Sequence, residues 1–563
     1  DTRSKGNATV VNASTGAVDG SVIANATQNV SITNAGTIGG GVNGNSSGGD
    51  STYSRTILTP EPVVDAKAGT KTTQYGFADA STSTSTTGKI DFTNSAGGVI
   101  GFNGVGNVNL NAGGDITILN QGEVRGATFA QSSSGKSAAS SAYDSTEILD
   151  GKGGRSFTEE RKSSGSSTTT GGSVTGTYAG ANGTKNFVPA ANGTITQVAD
   201  LASSVNVTGS VFGNVNSYAG NTGVAGSSYA DSSSETTVLD VDGTGSFAGK
   251  FAESSETTAI SGGDGKVVIA GRVANGNAGG GANVYSQGAN SSSVVVSGSV
   301  EQNVTSNAVG AKAQKSEESG NIAQTITKNV AVTDQLAAKS NSTSVVSDGA
   351  SSVSITGKAT ASQDTVGGSV SVNGVKSASA DVAAKAIVGG DLFVSANNGF
   401  DSENSTEQSY VRDAKTGVAT ASETINSISG AAAAQGNAQA TIAGTVEGGT
   451  YVAAGRGDAT VTLTGVSEDY VSAVASNSVT KTAIEREWTG KTKSASDDFG
   501  ALVGSLTGRT LDESVTTETT FVGGKATVAI DSAQALKDKA IAATEGNVFA
   551  YGVGGASISV TKG

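Results

Sequence analysis

A short cassette recurs along this chain: two or three alternating β-branched or apolar residues, then a glycine, then one more apolar residue. It is clearest at residues 294–300, Val-Val-Val-Ser-Gly-Ser-Val, and further copies lie at 205–211, 267–273, 353–359 and 440–446. The alternation predicts a short β-strand and the glycine predicts a turn. A unit that recurs this often belongs to the architecture, so the cassette constrains the fold and does not indicate a ligand.

The composition allows only a thin hydrophobic core. Of the 563 residues, 35% are hydrophobic and 5% aromatic, below the usual share for a globular domain. Such a chain can still bury Val, Ile and Ala between stacked layers, because each small residue packs against its equivalents above and below. We therefore expect an all-β fold, a single β-solenoid over residues 1–563. An array of β-sandwich domains is the alternative, but the three prolines, few aromatics and similar cassettes favour the solenoid.

The spacing of the cassettes gives an estimate of the coil length. Their starts at 205, 267, 294, 353 and 440 are 62, 27, 59 and 87 residues apart. These distances are near multiples of 30, which predicts coils of about 30 residues, with degenerate copies in the larger gaps.

Three segments depart from the pattern, near 45–88, 128–172 and 480–520. They are rich in Ser, Thr or charged residues, so we expect long loop or hairpin excursions from the solenoid. Residues 531–543 have helical composition after an initial Asp, which predicts a short helix near the end.

Several kinds of chemistry are excluded by residues that the chain lacks. It contains no His and no Cys, which rules out a Ser-His-Asp triad, a Cys-His dyad, an H-E-x-x-H zinc site and any disulfide. The net charge of −14 is spread along the chain, which argues against nucleic acid as a partner. No apolar run approaches the roughly 18 residues of a transmembrane helix. The lack of Cys favours a bacterial exported protein over a eukaryotic secreted one.

A second form of the cassette places Asn ahead of the glycine, at 34–38, 94–100 and 120–124. These phrases follow apolar-x-apolar strands and resemble the coil signature of bacterial autotransporter passenger domains and related large exoprotein adhesins. The resemblance covers about residues 30–125. It implies a right-handed parallel β-helix outside the outer membrane, serving adhesion or self-association.

Two features are candidate partner contacts. Arg456, Gly457 and Asp458 form a tripeptide similar to an integrin-binding motif, although Gly-Asp is also ordinary turn chemistry. Trp488 is the sole tryptophan, and an exposed Trp commonly packs or binds. Packing of its loop onto the rod is the alternative.

Asp240, Asp242 and Asp264 stand beside glycines in sequences similar to fragments of calcium-binding loops. Spaced carboxylates supply the hard oxygens that calcium prefers. Neither segment completes a known calcium motif, so turns are the competing interpretation. Calcium is the one cofactor that the sequence suggests.

Acidic pairs such as Glu159 and Glu160 raise the hypothesis of a polysaccharide-active β-helix enzyme. Such sites use aromatic platforms, and the 1 Trp, 11 Tyr and 14 Phe are scattered along the chain, so we expect no enzymatic activity. The composition favours an adhesin at the bacterial cell surface or outside the cell, binding copies of itself or surface molecules through Ser, Thr and Asn ladders. A self-assembling S-layer or filament subunit is the second hypothesis.

Overall fold

The structure is a computed structural model of the chain. It describes residues 1–561 except 59–62, 66–69, 86–87, 170, 185–191, 221–225, 259–262, 276–280, 329, 348, 357–364, 398–399, 414, 432–435, 494–495, 497 and 532–546. The helix predicted at 531–543 lies, after its first residue, outside the described residues.

The chain winds into a rod of coils whose short strands stack in parallel. Strands at equivalent positions pair from coil to coil and form sheet A, sheet B and the narrower sheet C, which follow one another in that order around a coil. Among the described residues, sheets A and B have fourteen strands each, and sheet C consists of stretches of eight and three strands. This continuous parallel pairing confirms the predicted β-solenoid. Separate β-sandwiches would be antiparallel.

The elements are numbered in chain order. Coils 1 to 4 contain β1 (Thr2–Ser4), β2 (Ala8–Asn12), β3 (Ala17–Val18), β4 (Val22–Ala26), β5 (Val30–Asn34), β6 (Thr37–Ile38), β7 (Val42–Ser46), β8 (Gly49–Leu58), β9 (Val63–Asp65), β10 (Thr70–Ser85), β11 (Ile90–Asn94), β12 (Val99–Ile100), β13 (Val108–Ala112), β14 (Ile116–Asn120) and β15 (Glu123–Val124). Coils 5 to 8 contain β16 (Thr128–Ser132), β17 (Gly135–Leu149), β18 (Arg155–Thr169), β19 (Val174–Tyr178), β20 (Ala181–Asn182), β21 (Ile195–Ala199), β22 (Ala202–Val207), β23 (Ser210–Phe212), β24 (Val215–Ala219), β25 (Gly226–Leu239), β26 (Gly245–Thr258), β27 (Asp264–Ile269), β28 (Arg272–Ala274), β29 (Val284–Gly288), β30 (Ser291–Val296) and β31 (Ser299–Val300).

Coils 9 to 14 complete the rod. They contain β32 (Val304–Ala308), β33 (Ala311–Thr327), β34 (Val330–Ser347), β35 (Ala350–Ile355), β36 (Val370–Asn373), β37 (Ser377–Val382), β38 (Ile387–Val388), β39 (Leu392–Ala396), β40 (Phe400–Arg412), β41 (Val418–Ala431), β42 (Asn437–Ile442), β43 (Thr445–Val446), β44 (Thr450–Ala454), β45 (Ala459–Leu463), β46 (Val466–Ser467), β47 (Val471–Ala475), β48 (Asn477–Lys491), α1 (Phe499–Gly504), β49 (Thr507–Val522), β50 (Ala526–Asp531), β51 (Val548–Gly552) and β52 (Ala556–Thr561).

The cassettes at 205–211, 267–273, 294–300 and 440–446 each form a strand of sheet B and the corner that leads to sheet C. The cassette at 353–359 begins in the sheet B strand β35, and its residues from 357 onward lie outside the described residues. In β30, Val294 and Val296 are buried in the core. Gly298 at the corner lies against Gly271 of the preceding coil, and a Cβ on Gly298 would approach the Gly271 carbonyl oxygen to 1.9 Å. A Cβ on Gly271 would approach the carbonyl oxygen of Gly209 equally closely. Glycine therefore recurs at this corner because the stacked coils leave no space for a side chain.

The Asn form of the cassette fills the core beside this corner with a hydrogen-bonded ladder. Each side-chain amide donates to the amide oxygen of the next asparagine at 2.8–2.9 Å. The ladder is buried and consists of Asn12, Asn34, Asn94, Asn120 and Asn182. Its members satisfy one another's polar groups in the core. This ladder therefore holds coils together, whereas the sequence led us to expect Asn ladders as contact surfaces.

Coils are shorter than the predicted 30 residues. The sheet A strands β29 and β32 begin at 284 and 304, 20 residues apart. The larger distances between cassettes arise because whole hairpins are inserted into single coils. Thus 205–267 and 294–353 each span one coil with its hairpin, where we had expected two coils.

In the part of the chain that the structure describes, six hairpins leave the rod, each between a sheet A strand and the following sheet B strand. They are inserted in every second coil, from coil 3 to coil 13. Neighbouring hairpins pair with one another, so β8, β10, β17, β18, β25, β26, β33, β34, β40, β41, β48 and β49 form one antiparallel sheet in chain order, with β9 attached to β10. We call it the hairpin sheet. Three hairpins coincide with the predicted excursions to within three residues at their ends or lie inside them, and those at 226–258, 311–347 and 400–431 were missed.

The alternation follows from strand spacing. Paired strands lie about 4.8 Å apart, so two coils advance by about 9.6 Å and one two-stranded hairpin occupies the same distance. Hairpins in alternate coils can therefore form a continuous sheet beside the rod. The hairpin-bearing coils begin at 42, 128, 215, 304, 392 and 471, which defines two-coil modules of 79 to 89 residues.

We predict that Gly271→Ala lowers the free energy of unfolding by about 1–3 kcal/mol, since overpacking forces the backbone apart. Urea unfolding followed by circular dichroism measures the change. The control is Gly20→Ala, because Gly20 is exposed and its Cβ would meet nothing within 4 Å. A Gly271→Ala protein as stable as the control would show that the corner has room.

We predict that Asn94→Ala destabilises the rod by about 1–3 kcal/mol for each buried polar group left unpaired. Asn94 accepts from Asn34 and donates to Asn120. Asn109→Ala is the control, since Asn109 also donates across coils, to Asn43 at 3.1 Å, but at an exposed position. Equal losses in the same unfolding assay would contradict a special role for the buried ladder.

Candidate interaction surface

The two faces of the hairpin sheet differ in composition. Successive side chains of a strand point to opposite faces, and directly opposed residues of neighbouring strands share one. Tracing the register across the sheet places all its aromatic residues with described side chains on one face, which we call the aromatic face. They are Tyr53, Tyr75, Phe77, Tyr143, Phe157, Tyr229, Phe247, Phe251, Tyr410, Trp488 and Phe521.

Arginines cover the rings at the N-terminal end of the aromatic face. The Arg55 guanidinium lies 5.3 Å from the centre of the Phe77 ring, and that of Arg161 lies 5.6 Å from the Tyr143 ring. Phe77 and Tyr143 are themselves stacked at 5.8 Å. Arg55 also donates two hydrogen bonds of 2.7 Å to Asp79, which lowers the pKa of that carboxyl. These contacts hold the rings in a surface that is both apolar and charged.

The opposite face, which we call the serine face, carries Ser, Thr, Ala and Lys–Glu pairs and no aromatic residue among its described side chains. Lys162 pairs with Glu160 and Lys339 with Glu407, each at 2.6 Å. Two open grooves of about 960 and 910 Å³ cross it. Small side chains and Lys and Glu residues line these grooves, so the described part of the serine face lacks the aromatic and arginine anchors that dominate binding surfaces.

The short helix α1 packs on the C-terminal part of the aromatic face. Leu502 and Leu506 join Leu336 and Tyr410 in a small hydrophobic cluster. Asp498 caps the helix by accepting a 2.6 Å hydrogen bond from the Ala501 amide.

Trp488 takes part in the contact between α1 and the aromatic face. Its ring meets the ring of Phe499 edge to face, with the centres 6.0 Å apart. The side chain is partly buried against the helix cluster. This placement gives Trp488 a packing role within its own hairpin, on the hairpin sheet and not on the rod.

A groove of about 870 Å³ separates the start of α1 from the aromatic face, and we call it the helix groove. Its floor includes the rings of Phe247 and Phe251, and Phe499 stands in its wall. Carboxylates of Glu235, Glu318 and Asp498 also line it. Its volume is in the range of small-molecule sites.

The tripeptide Arg456-Gly457-Asp458 forms the corner between β44 and β45, where Gly457 is buried and Asp458 is exposed. Asp458 accepts a 2.7 Å hydrogen bond from the backbone of Lys525 in the next coil. A Cβ on Gly457 would approach Asn437 to 2.3 Å. The motif forms a coil corner and its carboxylate accepts from the next coil, as the turn interpretation requires, and the partner contact stays a prediction.

The three aspartates suggested as calcium ligands are not brought together. Asp240 and Asp242 form the tip of the β25–β26 hairpin, where Asp242 accepts from the backbone and hydroxyl of Thr244 at 3.0 and 2.6 Å. Asp264 begins β27 in the rod and accepts from Asn290 and Ser291. In the described part of the chain, no group of three or more acidic residues is placed to hold a metal ion.

The sequence analysis did not predict the aromatic face. It treated Glu159 and Glu160 as a pair, but these residues are adjacent on β18 and therefore point to opposite faces of the sheet. The available signal was the spacing of two that places Phe157, Glu159 and Arg161 on one side of a Ser-rich strand. This spacing predicts a shared face only if the segment is a β-strand, and the excursions had not been identified as strands.

Comparison with known proteins finds no matching family profile, no matching curated protein and no matching solved structure. Within the described residues, no helix has the length and apolar character needed to cross a membrane.

We predict that Leu502→Ser shifts the fluorescence of Trp488 to longer wavelength, because α1 would leave the aromatic face and expose the indole to water. Trp488 is the only tryptophan, so the emission reports this contact alone. Phe521→Ser is the control, since that ring is 67% exposed elsewhere on the same face. An unchanged spectrum for Leu502→Ser would mean that the helix does not depend on this contact.

Proposed function

We propose that the protein is a non-enzymatic adhesin of the bacterial cell surface or extracellular matrix, attaching to copies of itself or to surface molecules. The observation that carries the proposal is the concentration of aromatic and arginine side chains on one exposed face of the hairpin sheet. Large exposed patches of this kind mark interaction sites, and aromatic and Arg residues supply much of the binding energy at interfaces.

The rod serves this function by holding the sheet in place. Apart from β8 and β9, the hairpin strands are 13 to 18 residues long, so their tips lie about 45–60 Å along the strand from the coil corners. Six hairpins joined edge to edge offer many weak contacts at once, and linked weak contacts add up to strong attachment. The likeness of the Asn cassettes to autotransporter passenger domains supports the same proposal.

The outermost strands favour a second candidate function, that of a self-assembling structural subunit. β8 and β49 end the hairpin sheet, and such strands present backbone N–H and C=O groups to another chain. Negative-stain electron microscopy over a concentration series separates the two candidates: ordered sheets or filaments support the structural subunit, whereas dispersed rods support the adhesin.

We predict that replacing exposed rings of the aromatic face weakens the attachment of protein-coated beads to one another and to bacterial cells. The test variant is Tyr53→Ser, Tyr229→Ser and Phe521→Ser, which removes three side chains that are 65, 47 and 67% exposed. We expect at least a tenfold loss of attachment, because hot-spot rings dominate such contacts.

The matched control replaces three exposed valines of the serine face, Val238→Ser, Val411→Ser and Val418→Ser. It should attach like the unmodified protein. Equal loss in the two variants would contradict the assignment of the aromatic face, and no attachment by the unmodified protein would contradict the proposed function.

A further inference from the structure

We propose that the helix groove binds a short stretch of a neutral or amino-sugar polysaccharide. This inference rests on the proposed function and names the ligand class. The groove crosses the middle of the aromatic face, from Glu235 on β25 to Gln408 on β40. These strands are four spacings apart in the sheet, so the groove is about 19 Å long.

The floor of the groove presents rings that lie flat on the sheet. Phe251 faces Gly320 on the neighbouring strand, and a Cβ on that glycine would approach the Phe251 ring to 2.4 Å. Phe247 lies in the same way beside Gly249, whose Cβ would approach its ring to 3.2 Å. Glycine at these positions lets one side of each ring rest on the backbone. The other side of the Phe251 ring is open, and the residue is 42% exposed.

The two floor rings come from one strand. Phe247 and Phe251 are four residues apart on β26 and point to the same side, so their Cα atoms lie about 13 Å apart along the strand, across the width of the groove. The ring of Phe499 in the wall adds a third apolar surface. Flat rings suit the C–H face of a sugar, which is apolar and also flat.

Polar groups stand between the rings. Glu235 lies opposite Gly249, and so between Phe247 and Phe251 along the strand direction. Gln408 on the far strand is held by donating a 2.8 Å hydrogen bond to Glu423. Carboxylate and amide oxygens accept from hydroxyl groups. Rings for the faces of a sugar and acceptors for its hydroxyl edge thus occur together in one groove.

The charge of the groove narrows the ligand class. Glu235, Glu318 and Asp498 line it, whereas the register directs the side chain of the neighbouring Lys250 to the serine face. Like charges would repel a uronic-acid, sulfated or phosphorylated chain. Neutral sugars meet no such penalty, and amino sugars gain an attraction, so these are the expected ligands.

Isothermal titration with cellotetraose, mannotetraose, chitosan tetramer and tetragalacturonate tests the proposal. We expect binding of at least one of the first three and at least tenfold weaker binding of tetragalacturonate. Trp488, which touches Phe499 in the groove wall, should change its emission on binding. No binding of the three non-acidic probes, or preference for tetragalacturonate, would overturn the proposal.

Two substitutions test whether the sugar binds in the helix groove. Phe251→Ala should weaken binding of the tetrasaccharide at least tenfold, whereas Phe521→Ala, which removes an exposed ring of the same face outside the groove, should leave it unchanged. Both proteins are first checked for unaltered circular dichroism. Equal affinities of the two variants would place the sugar elsewhere and overturn the groove assignment.

The experiment also separates this inference from the proposed function. Beads that attach through the aromatic face while no oligosaccharide binds would overturn the groove assignment and leave the adhesin proposal standing. Release of new reducing ends from a bound tetrasaccharide would support the groove as a sugar site and contradict the non-enzymatic function.

Discussion

The structure depends on one constraint, the backbone hydrogen bonding that keeps each coil about 4.8 Å from the next. This spacing leaves no room for a side chain at the corner after sheet B, which explains the glycines at 209, 271 and 298. It also brings equivalent asparagines within hydrogen-bonding distance, which gives the buried ladder. The same distance separates the strands of the hairpin sheet, so insertions in alternate coils fit together without a gap.

Much of the rod could be predicted from the sequence because its signals are local. Alternation of apolar residues marks the sheet B strands, and the cassette glycine marks the corner. The coil length could not be derived, because hairpins of varying length separate successive cassettes. Ser-rich strands without a buried face resemble loops in composition, and so three hairpins were missed. These strands are ordered because they pair with strands of other hairpins, as Arg155 of β18 pairs with Leu239 of β25. Such pairing between distant segments leaves no local pattern in the sequence.

The candidate sites show how strongly context decides the role of a motif. The Arg-Gly-Asp tripeptide and the Asp-Val-Asp-Gly turn both serve local backbone geometry: Asp458 supports the next coil and Asp242 closes a hairpin. The aromatic residues, in contrast, form no motif in the sequence but share one surface in the structure. They are scattered along the sequence, but the register of twelve strands collects them on one face. A surface assembled from distant segments in this way becomes visible only once the strand pairing is known.

The two-coil module has a consequence for how such a chain can change in length. A duplication or deletion of one whole module, such as residues 215–303, preserves both the stacking of coils and the continuity of the hairpin sheet. A change by a single coil would keep the rod intact but bring two hairpins one coil too close together or too far apart. Proteins with this architecture can therefore change in length only in steps of two coils if the hairpin sheet is to stay continuous, whereas the rod alone would accept steps of one coil.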